Sequence, residues 1–384
     1  MRIFINDFLP AFSHLVLISF LIEISVMLNS ALYCQELSEK NFAEYNPEPF
    51  VLLNEKELSS LKKRYLKGGL KNPGEFHVQE AEKFLMQKPS PLEEIRYEGL
   101  VSNHPDRISS VQHLKDMDYL NSLTWAYILT ENLKYAAKAK EILISWSYSY
   151  QPTGNDVNEN KLLTMFMSYF YLKKEFDLKP VWDLIESIAN KQIHLAEVNK
   201  KSGNRAAKRI KLVLLSGILL ERKDFISWAL EKYDSIHTSS LYYDGTSWDF
   251  LRRDALSYHV DGIQSLLEVC VLARELNYDL FTKENEGGGS LKKSIDFVIP
   301  YVLGEKTHRE WINTTVELDK KRWSAGDTYY MPGKIWDPIE SIDMFLLASI
   351  FDSKYLSIAE SILNMENRKS FLYLQIQAKM INSF

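Results

Sequence analysis

Apolar residues recur at intervals of three and four along most of the chain, which is the spacing of one face of an α-helix. The predicted helices cover residues 55–66, 76–87, 118–130, 133–148, 162–173, 181–198, 203–220, 225–233, 251–277, 291–298, 338–351, 354–365 and 369–381. Strand-like runs are short, at 240–243 and 313–318. Short turns join most consecutive helices, so neighbours are expected to be antiparallel. The pattern predicts an all-α protein.

The order of these elements limits which fold architectures are possible. Strands do not alternate with helices, which argues against a Rossmann fold or a TIM barrel. No strict sequence repeat is visible, so a TPR or HEAT array fits less well than a closed ring of helices. No Pro- or Ser-rich linker divides the chain. We therefore expect an α/α toroid, or barrel, of antiparallel helix pairs with few short strands.

The N-terminal residues have a different pattern. The apolar run 15–28 is interrupted by Glu23 and is too short for a membrane span. Small residues follow, ending at Ala31, which predicts a secretory signal peptide over residues 1–34. A lipid anchor on Cys34 is the alternative, although the residue before it is bulky. We expect an exported bacterial protein, periplasmic or extracellular, with no membrane attachment once the signal is removed.

Composition excludes several classes of function. The chain has 384 residues, 46% of them apolar, which is enough to bury a core without disulfides. Lys and Arg total 46 against 51 for Asp and Glu, a net charge of −5, so a nucleic-acid partner is not expected. Without the leader a single thiol remains, Cys270, on an apolar helix stripe where we expect it to be buried. An exported protein with no disulfide suits a bacterial periplasm or surface.

The first candidate for chemistry is the segment 242–259, where an aromatic turn leads into the long predicted helix. One face of this helix is apolar, with Leu256, Val260, Ile263, Leu267 and Cys270. Another face is polar, with Asp254, Tyr258, Asp261 and Ser265. Arg252 and Arg253 precede Tyr258, and a guanidinium group beside a phenol stabilises the phenolate. Such a tyrosine can take or give a proton, although a surface tyrosine beside surface arginines would show the same pattern.

Two further stretches combine basic and polar residues. Residues 200–209 are strongly basic, and Asn204 is expected to be the N-cap of the next helix, where an anion could bind. An ordinary basic helix end would look the same. Residues 306–311 and 319–330 mix aromatic residues with Arg and His, a combination that suits stacking on sugars and pairing with carboxylates, or ordinary loop packing.

Together these stretches resemble the alginate lyase superfamily of α/α-toroid polysaccharide lyases. The resemblance covers roughly residues 103–352, and its segments are 119–127, 202–205, 244–248 and, most specifically, the Arg-Arg-Asp-Ala-Leu-Ser-Tyr-His run at 252–259. It implies an incomplete toroid over residues 101–384. Residues 35–100 would form an N-terminal helical segment that packs on the toroid or acts as a lid.

The resemblance also implies roles for individual residues in β-elimination on an acidic, uronate-containing polysaccharide such as alginate or glucuronan. Tyr258 would be the acid and possibly the base, and Asn204 with Arg252 or Arg253 would neutralise the uronate carboxylate. His259 would be a supporting contact or a second base. Further substrate contacts are expected at Arg205, Trp248, His308, Arg309, Arg322 and Tyr329. This mechanism needs no metal or cofactor.

One departure from the family matters. Related lyases commonly have Asn-Asn-His, or a similar run, where this chain has Gly203-Asn204-Arg205. A His base is therefore missing. Either Tyr258 carries out both proton transfers, or His259 or His308 substitutes, or the activity is altered or lost.

Two alternatives remain open at this level. The arginine at position 205 would suit a non-catalytic protein that binds acidic glycans on the same fold. An (α/α)6 glycoside hydrolase would instead need two carboxylates in a cleft, and Asp244, Asp249 and Asp254 are the candidates.

Overall fold

Helices make up nearly all of the regular structure in the computed structural model, which describes residues 45–67, 71–198, 202–365 and 370–380. The predicted signal peptide and Cys34 lie outside the described residues. The α-helices are α1 (Glu55–Leu66), α2 (Lys71–Phe84), α3 (Pro105–Thr130), α4 (Leu133–Ser149), α5 (Asp156–Asn160), α6 (Leu163–Leu172), α7 (Lys179–Val198), α8 (Gly203–Leu219), α9 (Lys223–Ser240), α10 (Trp248–Arg253), α11 (Leu256–Arg274), α12 (Leu291–Val302), α13 (Glu317–Ser324), α14 (Ile342–Ala348), α15 (Lys354–Met365) and α16 (Phe371–Met380). Short 3₁₀ turns lie at Thr328–Tyr330 and Pro338–Ser341.

A set of central helices forms the inner layer. Contacts run in order from α3 through α6, α8, α11 and α14 to α16, and α1 then contacts both α16 and α3. Several of these helices are buried on almost every side, as expected for helices that pack against neighbours all round. The remaining long helices pack outside: α2 and α4 on α3, α7 and α9 on α8, α12 on α11, and α15 on α14. This is the expected all-α toroid of helix pairs.

The N-terminal described residues are joined to the C-terminal helix. The backbone N–H of Val51 donates to Oε1 of Gln375 at 3.2 Å, and Nζ of Lys379 donates to the carbonyl oxygen of Leu52 at 2.9 Å. Val51, Leu52 and Leu61 are buried in the same apolar core as the central helices. A division of the chain between residues 100 and 101 stays a prediction.

The prediction of one long helix over 251–277 is wrong in one respect. The structure breaks it into α10 and α11, with Asp254 in a left-handed conformation (φ 51°) and Ala255 extended. The break places Tyr258 in the first turn of α11 instead of the middle of a helix. The predicted apolar stripe of α11 is confirmed, because all five of its residues, Cys270 included, are at most 3% exposed.

Other boundaries also differ from the predictions. The helix expected to stop before Pro300 continues to Val302. Residues 240–243 contribute one isolated bridge, Leu241 to Ser247, instead of a strand. The run 313–318 is also not a strand, because α13 begins at Glu317. Among the described residues, no helix is long and apolar enough to cross a membrane.

Candidate active site

The break before α11 is fixed by a segment distant in sequence. The carbonyl oxygen of Asp254 accepts the backbone N–H of Trp311 at 2.8 Å, and Nε2 of His308 lies 3.1 Å from the same oxygen. The Asp254 side chain accepts the backbone N–H of Asn313 at 2.9 Å. Asp tolerates the left-handed conformation better than most residues, which explains why the chain turns here.

Tyr258 lies between two guanidinium groups. The Arg253 guanidinium is stacked over its ring, 3.8 Å from the centroid, and Nη1 of Arg322 is 3.5 Å from its hydroxyl oxygen. The hydroxyl of Tyr330 is 3.2 Å from that of Tyr258. The structure therefore brings together three of the predicted site residues, Tyr258, Arg253 and Arg322, around one phenol that remains partly exposed.

Each of the two arginines is held by its own partners. Arg253 forms an ion pair with Asp319, a carboxylate that is 1% exposed and also accepts the Thr314 hydroxyl at 2.8 Å. Within the described residues, the hydrogen bonds of Arg322 go to the Tyr330 hydroxyl at 2.5 Å, the Tyr258 hydroxyl and the Leu100 carbonyl oxygen. The positive charge of Arg322 is thus directed at phenol oxygens.

A second polar group lies one helical turn further along α11, at Asp261. Its carboxylate accepts the side-chain amide of Asn204 at 2.7 Å and the ammonium of Lys208 at 2.5 Å. Burial opposes ionisation of Asp261, but Lys208 and Asn204 outweigh it and lower its pKa. The pKa of Lys208 is raised, since Asp261 and Asp249 outweigh the opposing effect of burial. The Asp261 carboxylate therefore compensates the charge of Lys208.

Asn204 differs from its predicted role as an N-cap. The N-cap of α8 is Ser202, and the backbone N–H of Asn204 donates to Oδ2 of the buried Asp249 at 2.7 Å. Burial raises the pKa of Asp249 to about 7. Gly203 has φ 63°, and a Cβ there would lie 2.4 Å from the same Asp249 oxygen, so only glycine allows this approach.

The Arg205 side chain points towards a group of acidic residues. Its Nε and Nη2 atoms donate to both oxygens of Asp156 at 2.6–3.1 Å, and Nη1 donates to Glu98 at 2.9 Å. Asp156 is fully buried, whereas the Arg205 side chain is 27% exposed. The arginine at the position of the family's histidine therefore satisfies carboxylates of the protein itself.

His259 has no access to solvent. It is 0% exposed, with Nδ1 at 2.8 Å from the Ser247 hydroxyl and Nε2 at 2.9 Å from the Ser294 carbonyl oxygen. Burial lowers its pKa to about 4. His308 bonds to the Asp254 carbonyl and packs on Phe250, with ring centroids 5.2 Å apart. Both histidine rings therefore form hydrogen bonds to neighbouring groups of the protein itself.

The remaining predicted residues lie around this centre. The exposed Arg252 stacks on Trp248, 4.4 Å from the ring centroid. Arg309 is exposed and donates to the Gly333 carbonyl at 3.1 Å. Tyr329 packs against a small apolar cluster that Tyr258 also contacts, formed by Ala255, Trp311 and Tyr330, and its hydroxyl donates to Glu340 at 3.2 Å.

Sequence reasoning missed several residues of the site. Lys208 follows Asn204 by four positions on α8, so helical spacing alone could have placed both on one face. Tyr330, Glu310 and Trp311 lie in the candidate stretches 319–330 and 306–311 but were not singled out there. The local sequence carries no signal that Glu310 and Trp311 contact the turn before Tyr258. Among the described residues, no group of three His, Cys, Asp or Glu side chains converges to hold a metal.

Comparison with known proteins agrees with this fold. The sequence profile of the alginate lyase family matches residues 63–308, more than half of the chain. An alginate lyase from Bacteroides ovatus has a similar structure, with a TM-score of 0.59 at 15% identity over 84% of this chain and 96% of that one. A comparison with curated proteins gives no match.

Two further similar structures are variants of alginate lyase A1-III of Sphingomonas species A1, one with His replaced by Ala and one with Tyr replaced by Phe, each complexed with a tetrasaccharide. Both have TM-scores of 0.50, at 16% and 17% identity, and they cover 66% of this chain and 79% and 80% of theirs. These likenesses concern the fold, whereas the match to the sequence profile identifies the family. The chain belongs to the alginate lyase family and is a polysaccharide lyase.

Proposed function

We propose that this lyase cleaves a uronate-containing polysaccharide, such as alginate or glucuronan, by β-elimination, with Tyr258 as the proton-transfer residue. The observation that carries the proposal is the placement of one partly exposed phenol between the guanidinium groups of Arg253 and Arg322, at 3.8 Å and 3.5 Å. Cations at these distances stabilise negative charge that develops on the phenol oxygen while a proton moves. The Tyr258 hydroxyl is thereby placed to take and give a proton.

The reaction needs one proton to move. The phenolate of Tyr258 removes the proton from C5 of the uronate, the C4=C5 double bond forms, and the bond from C4 to the glycosidic oxygen breaks. The phenol of Tyr258 then gives the same proton to that oxygen. In this scheme Arg253 and Arg322 stabilise negative charge on the Tyr258 oxygen. Asn204, with Lys208 beside it on the adjacent face of the site, binds the uronate carboxylate while negative charge develops on it.

If Tyr258 is both the base and the acid, only one stereochemistry of the uronate substrate fits. His259 is buried with both ring nitrogens bonded, and Arg205 is engaged with Asp156 and Glu98, so neither supplies a second base in this scheme. The C5 proton and the leaving oxygen must therefore be on the same side of the sugar. This is the arrangement in mannuronate and glucuronate, whereas guluronate places the two groups on opposite sides. We expect mannuronate- or glucuronate-rich polymers to be the better substrates.

The experiment that tests the role of Tyr258 is the substitution Tyr258→Phe. Loss of a group that acts as both base and acid is expected to lower kcat by about 10³-fold or more, because each role typically contributes 10²- to 10⁴-fold. The control is Tyr148→Phe, which changes a 72% exposed tyrosine on α4 and should leave kcat unchanged. Turnover by the Tyr258→Phe protein at a tenth of the normal rate or faster would contradict the assignment.

The second candidate is a glycan-binding protein without activity, and the observation that favours it is Arg205 in place of the family's histidine. It predicts binding of the same polymers with no turnover. The hydrolase alternative has less support, because Asp249 is only 2% exposed and Asp254 is bonded to Asn313, while Asp244 is in an exposed turn.

A further inference from the structure

Helix α11, which carries Tyr258, begins without a local cap. Its N-cap residue, Ala255, has no side-chain oxygen, so it cannot accept a hydrogen bond from the first backbone N–H groups of the helix. The acceptor comes from far away in sequence: Oε1 of Glu310 accepts the backbone N–H of Ser257 at 2.8 Å. Ser257 directly precedes Tyr258. A carboxylate at this end of a helix is also favoured by the helix dipole.

The residues around Glu310 contact the same turn at other points. The backbone N–H of Trp311 donates to the Asp254 carbonyl at 2.8 Å, and its ring meets the Tyr258 ring edge-on, with centroids 5.6 Å apart at 84°. Trp311 adopts φ 68°, a conformation that a bulky side chain rarely adopts and that costs stability. Contacts therefore reach both ends of the turn from Asp254 to Tyr258.

Glu310 is itself fixed in place. Its backbone N–H donates to the Lys334 carbonyl at 2.8 Å, and its own carbonyl accepts the N–H of Gly333 at 2.8 Å. The side chain is 0% exposed, and its second oxygen, Oε2, is buried without a hydrogen bond from the described residues. Burial accordingly raises the pKa of Glu310. Burying a carboxyl group away from water is unfavourable, so the presence of Glu310 here calls for an explanation.

We propose that Glu310 is a positioning residue for Tyr258: by capping α11 at Ser257, with Trp311 packed against the phenol ring, it holds the Tyr258 hydroxyl in the position from which it transfers the proton. This inference rests on the proposed role of Tyr258. Catalytic groups are sensitive to small displacements, and a shift of about 1 Å can reduce the rate by about 10²-fold.

Two matched variants test whether the length or the charge of the Glu310 side chain matters. Glu310→Gln keeps an oxygen in place to accept the Ser257 N–H but removes the charge, and we expect kcat within about threefold of the wild type. Glu310→Asp keeps the charge but shortens the side chain by one methylene group, and we expect kcat to fall by about 30- to 100-fold with KM within twofold. Thermal melting of both variants shows whether each is folded at the assay temperature.

The proposal is overturned if Glu310→Asp keeps the wild-type kcat, if Glu310→Gln is as slow as Glu310→Asp, or if the loss appears in KM instead of kcat. Tyr258→Phe is measured in parallel. If that variant remains fast, the proposed function fails, whatever the Glu310 variants do. Crystal structures give a readout that is independent of activity: the Tyr258 hydroxyl should shift by about 1 Å in Glu310→Asp and stay in place in Glu310→Gln, and an unmoved hydroxyl in Glu310→Asp refutes the positioning role.

Discussion

Replacement of Arg205 by alanine separates the role expected from sequence from the role that the structure supports. A substrate-binding arginine would face the polysaccharide, and its loss would weaken binding. The structure instead directs the guanidinium to Asp156 and Glu98. We therefore expect Arg205→Ala to reduce the stability of the protein much more than its affinity for substrate.

The expected loss of unfolding free energy in Arg205→Ala follows from the burial of Asp156. Its carboxylate is 0% exposed, and without Arg205 the nearest cation among the described residues is Nη2 of Arg209, 3.9 Å away. Breaking a buried ion pair costs about 3–5 kcal/mol, and we take about 3 kcal/mol because Arg205 is 27% exposed and Arg209 remains. With about 2.1 cal/mol/K of unfolding entropy per residue over about 340 residues, this corresponds to a decrease in Tm of about 4 °C.

The assay is thermal unfolding followed by circular dichroism, together with KM on the preferred polymer. The matched control is Arg252→Ala, which removes an exposed arginine that stacks on Trp248 and should change stability by less than about 0.5 kcal/mol. An unchanged Tm for Arg205→Ala, with a tenfold rise in KM, would refute the reasoning and restore Arg205 as a substrate contact.

The remaining predictions concern Arg322 and His259. Arg322→Met should lower kcat by about 10²- to 10³-fold, because it removes the cation directed at the phenol oxygens; a change confined to KM would show that Arg322 only binds substrate. For His259, burial lowers the folded-state pKa to about 4 against 6.5 for the unfolded chain, so its contribution to stability is fully present above pH 6.5 and is lost as the pH falls towards 4. The difference in unfolding free energy between the wild type and His259→Asn should therefore shrink over that interval in pH-dependent melting, and a constant difference would show that His259 is not buried as a neutral ring.

Helix positions could be predicted wherever a helix has one apolar face. The predicted ranges 55–66 and 354–365 match α1 and α15 at both ends, because packing on the core requires the same periodic residues that reveal the helix in sequence. The break at Asp254 could not be seen in this way. The apolar stripe continues through α11, and the chain turns where residues 308–313 bond to the carbonyl and carboxylate of an Asp that tolerates the left-handed conformation.

Prediction of the site from sequence was limited in the same way, to residues close together in the chain. Tyr258 and Arg253 were identifiable because they are close together in the chain. The partners of Arg205 are 49 and 107 positions away, so sequence alone could not show that its charge is already compensated by Asp156 and Glu98. His259 follows Tyr258 directly but lies on a different side of the helix and is buried in the core, because successive residues on a helix do not share a face.

The central claim is β-elimination by a single tyrosine, and the product formed by the purified protein tests it most directly. Polymannuronate, polyguluronate, glucuronan and pectate would each be incubated with the protein while the ultraviolet absorbance of the unsaturated uronate product is followed. The account predicts a rise on polymannuronate or glucuronan that is faster than on polyguluronate. Saturated products without this absorbance, or binding without any product, would contradict it.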